Sequence, residues 1–304
     1  MHPIFSEQVR LLVATIPYVA QETCFALKGG TAINLFLRNL PRLSVDLDLV
    51  YLPIEERETS LSHLDAAMRR IAARIRQSLA GTIVAETLLP KTDKCIRLQV
   101  MRNNTSIKIE VSPVMRGTLN PISETVLAAD AQAEFGFARM NLLHFTDIYA
   151  GKLCAALDRQ HPRDLFDVHF LLANEGITPT LKDTFLIYLI SSNRPMAELL
   201  APNRLDIKAV YATEFVGMTN TPVALEQLLA VREQMIATLH RLLTEQDREF
   251  LLSVKRGKPD WDLCALPNAA NLPAVRWKLH NLAVMKPAQH KQALAKLERA
   301  LAAP

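Results

Sequence analysis

Two hydrophobic periods divide the chain. Up to about residue 135, four runs alternate apolar and polar residues as β-strands do, and segments with helical spacing separate them. Beyond that point the spacing is helical. The pattern therefore predicts an α/β (α+β) domain with a mixed sheet over residues 1–135 and an all-helical domain over residues 136–304. The predicted strands are LSVDLDLVY, TIVAETLLP, KCIRLQVMR and SIKIEVSPV.

Helical spacing in the first domain occurs at residues 3–18, at residues 31–37 and in one long amphipathic segment between Pro53 and Gly81. In the second domain, residues 222–257 predict the longest helix of the chain. Its expected core stripe is Leu225, Leu228, Leu229, Ile236, Leu239, Leu242 and Leu243.

Residues 141–176 predict two helices that are interrupted just before Pro162. Thr146 or Asp147 could cap the first helix, because both residue types accept hydrogen bonds from the first free N–H groups. Proline suits the first turn of the second helix, and Gly176 is expected to end it.

Two aspartates on one strand face are the first candidates for chemistry. Asp46 and Asp48 share a face of the first predicted strand, and the apolar residues beside them lie on the other. Paired carboxylates can bind a divalent metal. The preceding Gly29 and Gly30 let the backbone approach a phosphate and point N–H groups at it. The alternative is chance, since a chain of this length contains several acid-x-acid triplets.

Glu110 is a further candidate because alternation in SIKIEVSPV places it with Lys108 on one face, opposite the apolar residues. If this strand neighbours the strand of Asp46 and Asp48, Glu110 points the same way. The alternative is an exposed surface glutamate.

Charged residues recur at helical spacing across the two helices of residues 141–176. Lys152 and Arg159 are seven apart on one face, and Asp164 and Asp167 are three apart on another. The alternative to a functional role is a surface lysine and a pair of acids at the positive end of a helix dipole.

The net charge of +4 is concentrated near the C-terminus. Residues 255–304 contain nine Lys and Arg against three Asp and Glu, which gives +6 there and −2 for the preceding residues. Trp261 and Trp277 lie among the basic residues, an arrangement typical of single-stranded RNA binding. It is also typical of a helical bundle with buried tryptophans. The basic candidates are Lys255, Arg256, Lys258, Arg276 and Lys278.

Composition excludes few function classes. Hydrophobic residues make up 49% and charged residues 22%, no apolar run is long enough to cross a bilayer, and no secretory segment is present, so a cytoplasmic location is expected. The cysteines are far apart and predict neither a structural zinc site nor a disulfide. A buried thiol is expected at each of Cys24, Cys95, Cys154 and Cys264.

The segment KGGTAINLF followed by RLSVDLDLVY resembles the opening motif of the AbiEii/AbiGii-type nucleotidyltransferase toxins, members of the polymerase-beta-like superfamily and of type IV toxin–antitoxin pairs. Lys152, two arginines and an Arg-Asp-x-x-Asp motif resemble that family's next motif, and LLSVKRGKPDWDLC and LPAVRWKLHNLAVM resemble its C-terminal region. The superfamily usually carries Gly-Ser, whereas this chain has Gly30 followed by Thr31. Which hydroxyl contacts phosphate is therefore open.

The resemblance implies a polymerase-beta-like fold and metal-dependent transfer of nucleotides from an NTP to RNA, with the 3′ acceptor end of tRNA as the best match. It implies that Asp46 and Asp48 bind Mg²⁺ or Mn²⁺ with Glu110 as an associated carboxylate, and that Asp167 positions Lys152 or the acceptor. The residues implied in nucleotide binding are Gly29, Gly30, Thr31, Lys152, Arg159, Arg163 and Asp164.

Two alternatives stay open at this stage. The acceptor could be a protein side chain, or the fold could have lost catalysis and bind nucleotide or RNA only. The family also implies a cognate antitoxin as partner. The enzymatic interpretation requires that Asp46 and Asp48 share a site with Lys152.

Overall fold

The computed structural model describes residues 3–302, and the chain divides into two compact units. The first unit takes in the chain up to Phe145 and Gly217–Pro222, and the second takes in Thr146–Val216 and the chain from Val223 on. Within the described residues, all seven strands belong to the first unit. The thirteen α-helices are distributed over both units.

One mixed sheet organises the first unit. Its strands are β1 (Phe25–Lys28), β2 (Asp46–Tyr51), β3 (Thr82–Leu88), β4 (Cys95–Arg102), β5 (Thr105–Val111), β6 (Ser123–Val126) and β7 (Arg139–Leu142). They lie in the order β3-β4-β5-β2-β1-β7-β6. Strand β1 pairs antiparallel with β2 and parallel with β7, while the central strand β2 also pairs parallel with β5. The predicted mixed sheet is thus confirmed.

Helices cover the apolar face of this sheet. The helices on it are α1 (Pro3–Val19) and α3 (Arg57–Ser78), and the unit also contains α2 (Gly29–Thr31), which continues as a π-helix over Ala32–Leu37, and α4 (Ala129–Phe135). Helix α1 packs against β5 and β7, α3 packs against β3 and β4, and the two helices contact each other. Leu47 of β2 and Ile109 of β5 are fully buried. Alternation then leaves the polar residues of β2 and β5 on the opposite face.

The strand β7 corrects the sequence prediction of a helix from residue 141. Leu142 is paired with Leu27 of β1, and the N–H of Leu143 donates to the Leu27 carbonyl at 3.1 Å. The neighbouring strand β6 was also missed. Each of these strands has only four residues, so the alternation in the sequence is too short to indicate them.

All regular elements described in the second unit are helices, in agreement with the predicted fold class. They are α5 (Phe145–Arg159), α6 (Pro162–Asn174), α7 (Pro179–Ser191), α8 (Met196–Leu200), α9 (Lys208–Glu214), α10 (Leu225–Leu242), α11 (Glu245–Lys255), α12 (Pro273–Ala283) and α13 (Pro287–Ala302). Pro162 begins α6, and Gly176 follows its end with a positive φ of 69°. Thr146 and Asp147 lie in the first turn of α5, and Asp147 accepts a hydrogen bond from Tyr188 at 3.1 Å.

The single helix predicted over residues 222–257 is wrong, because the segment forms α10 and α11. The break comes at Thr244, whose hydroxyl accepts a hydrogen bond from the Asp247 N–H at 3.1 Å, while Asp247 accepts one from the Thr244 N–H at 2.9 Å. This reciprocal capping box starts α11 in a new direction. The stripe residues that are buried are Leu228, Ile236, Leu239 and Leu243. Those half-buried are Leu225, Leu229 and Leu242.

The four cysteines are free thiols, and Cys95 alone among them is buried. The expectation that every thiol is buried is therefore wrong for Cys24, Cys154 and Cys264, which are partly exposed. Across residues 3–302, none of the helices is sufficiently long and apolar to span a membrane.

Replacing Thr244 by alanine is expected to destabilise the protein by about 1 kcal/mol, because the Asp247 N–H loses its acceptor at the start of α11. The measurement is urea unfolding followed by circular dichroism. Gln234→Ala, at an exposed position inside α10, is the control and should change stability by less than about 0.5 kcal/mol. Equal midpoints for Thr244→Ala and the control would contradict a stabilising cap.

Candidate active site

The polar face of the sheet brings three carboxylates together. Asp46 and Asp48 are partly exposed on β2, and in the parallel pairing with β5 Asp48 lies opposite Glu110. Register partners on adjacent strands point to the same side of a sheet, with the strands roughly 4.8 Å apart. The candidate role of Glu110 required that its strand lie beside the strand of Asp46 and Asp48, and this condition is met.

Arg97 on β4 accompanies these carboxylates, and sequence reasoning missed it. It is the register partner of Glu110 on the antiparallel β4–β5 pair, and its Nη2 donates to Glu110 Oε1 at 2.8 Å. The hydrogen bond to Glu110 and the charge of that residue, with a smaller effect from Asp46, raise the pKa of Arg97. Arg97 thus adds a cation to the polar face. The sequence signal for Arg97 was the alternation in KCIRLQVMR. The pairing of β4 with β5, which brings Arg97 to Glu110, cannot be deduced from that alternation.

The donor set suits a metal that takes part of its coordination from a substrate. In the described part of the chain, no three His, Cys, Asp or Glu side chains are grouped closely enough to hold a metal ion by themselves. Mg²⁺ is commonly bound by one or two protein carboxylates, with phosphate oxygens and water completing the shell. Asp46 and Asp48 fit that mode, whereas Glu110 is occupied by its ion pair with Arg97.

The glycine pair is required by close packing around Asp48. Gly29 has a φ of +75°, and a Cβ there would lie 2.5 Å from Asp48 Oδ2. A Cβ on Gly30 would lie 2.8 Å from Arg42 Nη2 and 2.9 Å from Ser44 Oγ. Any side chain at either position would displace the carboxylate or the groups beside it. The two glycines therefore fix the location of Asp48 against the turn.

Thr31 lies buried under the start of β2. Its hydroxyl donates to the main-chain carbonyl of Asp46 at 2.5 Å and lies 3.0 Å from Ser44 Oγ. The amide of Asn34 donates to the Gly30 carbonyl at 2.9 Å and holds the preceding turn. Since the single hydroxyl proton of Thr31 is used within the protein, this residue supports the position of Asp46.

In the second unit, a buried lysine lies between two aspartates. Lys152 Nζ is 2.6 Å from Asp164 Oδ1 and 2.9 Å from Asp167 Oδ2, and all three side chains are at most 5% exposed. The turn between α5 and α6 places these carboxylates against the lysine, although the spacing alone had assigned the two pairs of charges to separate helical faces. Two carboxylates satisfy the charge that burial of Lys152 would otherwise leave unpaired.

Arg159 completes this cluster from its exposed side. Its guanidinium donates to both oxygens of Asp164, at 2.5 and 3.0 Å, and its side chain is 62% exposed. Burial alone would raise the pKa of Asp164, but the charges and hydrogen bonds of Lys152 and Arg159 outweigh it and hold that pKa well below its usual range. Asp164 is therefore a permanent anion, and Arg159 presents a cation to solvent.

Arg163 makes contacts at the start of α6 and with α9. Its main-chain N–H donates to His161 Nδ1 at 3.1 Å, which caps α6, and its guanidinium is 3.6 Å from Glu214 on α9. Of the five charged positions of the motif, Lys152, Asp164 and Asp167 are buried together, Arg159 joins them from the solvent side, and Arg163 contacts Glu214.

The basic candidates near the C-terminus do not form one surface. Lys255 is only 8% exposed, and the Lys278 ammonium donates to the main-chain carbonyls of Ser192 and Arg194. The exposed basic candidates are Arg256, Lys258 and Arg276.

The two tryptophans also differ from each other. Trp261 packs against Phe250 with ring centroids 5.5 Å apart, while Trp277 is 44% exposed and stacks on His280 at 5.8 Å. Trp277 is therefore the more exposed of the two tryptophans.

Comparisons with known proteins agree with this architecture. The family model described as the AbiEii nucleotidyl transferase toxin of a type IV toxin–antitoxin system matches residues 10–281. Among solved structures, the nucleotidyltransferase toxin MenT4 (Rv2826c) of Mycobacterium tuberculosis H37Rv is similar, with a TM-score of 0.61 and 16% sequence identity, over 96% of this chain and 93% of that chain. No curated protein gives a significant match.

At 16% identity, the likeness to MenT4 shows a shared fold. The family model, in contrast, covers most of the chain and includes the glycine pair, Asp46, Asp48 and the Lys152 cluster. This chain therefore belongs to the AbiEii family of nucleotidyltransferase toxins, the toxin components of type IV toxin–antitoxin systems.

Proposed function

We propose that this toxin transfers nucleotides from an NTP to the 3′ acceptor end of tRNA, in a Mg²⁺-dependent reaction in the cytoplasm. The observation that carries the proposal is the pair of carboxylates on β2, Asp46 and Asp48, of which Asp48 is held against Gly29 and is in register with Glu110. The RNA acceptor is supported by the family resemblance and by the basic C-terminal segment. Membership of a type IV system implies a cognate antitoxin.

Asp46 and Asp48 are the residues that would hold Mg²⁺ or Mn²⁺, together with phosphate oxygens of the NTP. The chemistry that such an ion would supply at these carboxylates is a lower pKa for the acceptor hydroxyl and compensation of the charge on the pyrophosphate. The protein contributes the fixed position of the two carboxylates, which the packing at Gly29 and the Thr31 hydrogen bond maintain. The main-chain N–H groups of the glycine turn are assigned to the triphosphate.

The charged cluster of the second unit is assigned to the same reaction. Lys152 would neutralise charge on the triphosphate, and the ion pair of 2.9 Å with Asp167 supports a positioning role for that carboxylate. Asp164 holds Lys152 and Arg159 together. Arg159 and Arg163, which are more exposed than Lys152, would contact phosphate oxygens. Placement and charge stabilisation carry such a reaction, with no covalent intermediate.

Asp48→Asn is expected to reduce label transfer from NTP to RNA by about 100-fold or more, because the amide keeps the size of the side chain beside Gly29 but removes the charge. Glu110→Gln should reduce it less, since Glu110 is paired with Arg97. The assay incubates the protein with total RNA and each labelled NTP separately. Asp93→Asn, at an 84% exposed acid, is the control and should keep full activity.

The same assay separates the alternatives. Full transfer by Asp48→Asn would show that this carboxylate is not part of the reaction. Label that appears in a protein band would replace RNA by a protein acceptor. Binding of RNA without release of pyrophosphate from any NTP, with Mg²⁺ or Mn²⁺ present, would mean a catalytically silent binding module.

Removal of divalent metal with EDTA is expected to abolish transfer, and Mg²⁺ or Mn²⁺ should restore it, since two carboxylates and phosphate oxygens form the proposed donor set. Melting temperatures with and without EDTA serve as the control for loss of fold. Transfer that persists in excess EDTA would rule out the metal requirement.

Arg159→Gln is expected to raise the KM for the NTP by about tenfold, because it removes the exposed charge, and to lower the melting temperature less than Lys152→Ala does, because the glutamine amide can still donate to Asp164. It is a cleaner test than Lys152→Ala, which would remove the cation shared by two buried carboxylates and leave Asp167 without its ion pair to Lys152, at a cost of about 3–5 kcal/mol. The matched control is Arg194→Gln, an exposed arginine paired with Asp158 at 2.6 Å. An unchanged KM in Arg159→Gln would remove this residue from nucleotide binding.

A further inference from the structure

The turn between α5 and α6 determines how the charged cluster around Lys152 is assembled. The two helices are joined by only Gln160 and His161. Lys152 precedes this turn, and the carboxylates that it pairs with, Asp164 and Asp167, follow it. The backbone conformation of the two connecting residues therefore decides whether these charges meet.

Gln160 has an unusual backbone conformation for a residue with a side chain. Its φ is +49°, in the left-handed region, and within residues 3–302 it is the one residue of the second unit other than glycine with a positive φ. The residue that follows a helix often takes this conformation, but it is then usually glycine, since a Cβ is unfavourable there. Left-handed residues with a side chain persist where the contacts around them determine the conformation.

The side chain of Gln160 makes such contacts. It is 1% exposed, and its Nε2 donates to the main-chain carbonyl of Asn203 at 2.7 Å. Its Oε1 accepts from the main-chain N–H of Leu205 at 3.0 Å. Both partners lie in the segment between α8 and α9. Because one bond needs a donor and the other an acceptor, the amide can attach the turn to this segment in one orientation only.

Arg232 of α10 joins the same amide to a third element. Its Nη1 donates to Gln160 Oε1 and to the main-chain carbonyl of Leu205, each at 3.0 Å. Arg232 is 7% exposed, and its Nε lies 2.9 Å from Glu233 Oε1. Helix α10 packs against α6. A single buried guanidinium therefore connects the turn, the segment between α8 and α9, and the helix on which α6 rests.

We infer that Gln160 and Arg232 are positioning residues of the proposed nucleotide site. Their hydrogen bonds hold the turn in the conformation that brings Lys152 and Arg159 to one carboxylate, that of Asp164. The inference rests on the proposed role of the two cations in binding the triphosphate. Gln160 and Arg232 themselves are assigned no contact with substrate and act through the backbone of the turn.

The first test is steady-state kinetics of label transfer by Gln160→Gly, which removes the amide but suits a left-handed backbone. The KM for the NTP should rise by about tenfold with the KM for RNA unchanged, because the cations assigned to the triphosphate lose their fixed position. Mere destabilisation would instead reduce the number of active molecules, which lowers the maximal rate at unchanged KM. A wild-type KM for the NTP in Gln160→Gly would overturn the inference.

The matched control is Lys91→Gly. Lys91 is exposed and has a φ of 65°, so the substitution relieves the same backbone preference without removing a buried amide. Both KM values should stay at those of the wild type. A rise in the KM for the NTP in this control equal to that in Gln160→Gly would overturn the link to the amide.

Gln160→Glu tests the part played by Arg232. A glutamate has the same shape and keeps an oxygen that can accept from Leu205 and Arg232, but it cannot donate to the Asn203 carbonyl. The KM for the NTP should return to within about threefold of the wild type, since the acceptor contacts are retained. A KM as high as that of Gln160→Gly would overturn the assignment of Arg232 as a positioning residue.

A measurement without substrate separates this inference from the proposed function. Burial alone would raise the pKa of Asp164, and the charges of Lys152 and Arg159 reverse that effect and hold the pKa well below its usual range. Weaker contacts with the two cations in Gln160→Gly should therefore raise it. Carboxyl-carbon NMR of the folded proteins, titrated towards acid, measures this shift.

The titration does not depend on turnover. An equal pKa of Asp164 in Gln160→Gly and the wild type would overturn the inference, whether or not the protein transfers nucleotides. A raised pKa of Asp164 in a protein without transfer activity would sustain the role of the turn while rejecting the proposed reaction.

Discussion

The contact between the Asp48 carboxylate and the main chain of Gly29 is the constraint on which the candidate site depends. A Cβ at Gly29 would lie 2.5 Å from Asp48 Oδ2, so β2 can pair with β1 and keep its carboxylate only if the turn has no side chain there. The same turn leads into the helical segment that carries Thr31, whose hydroxyl holds the Asp46 carbonyl. The spacing of the two carboxylates is therefore set by the backbone around them.

Much of this arrangement could be predicted from local sequence. Alternation identified β2 and β5 and placed Asp46, Asp48 and Glu110 on polar faces, because the two-residue period of a strand is a local property. That Glu110 lies opposite Asp48 could not be predicted, since strand order depends on packing of the whole sheet. Arg97 was missed for the same reason. The glycine pair was interpreted as space for a ligand, whereas much of that space is filled by protein side chains.

The helical unit shows a different limit of sequence reasoning. An apolar stripe continued through residues 222–257, and periodicity therefore indicated one helix. A single capping box at Thr244 was enough to divide it, because its side-chain hydrogen bonds replace those that a continuous helix would make. Spacing likewise assigned Lys152 and Asp164 to different faces, while the turn before Pro162 brings those faces together. Short turns, rather than helical periods, decide which charges meet.

Charge compensation connects the features of the second unit. Burying an ion is unfavourable unless opposite charges and hydrogen bonds accompany it, and the chain meets this condition at Lys152 and Lys182 with two carboxylates each. In the first of these clusters, the two positive charges of Lys152 and Arg159 balance the two negative charges of Asp164 and Asp167. The Arg159 side chain is nevertheless exposed to an incoming anion. Which charges are buried together depends on how the helices and turns pack, so this balance cannot be deduced from sequence alone.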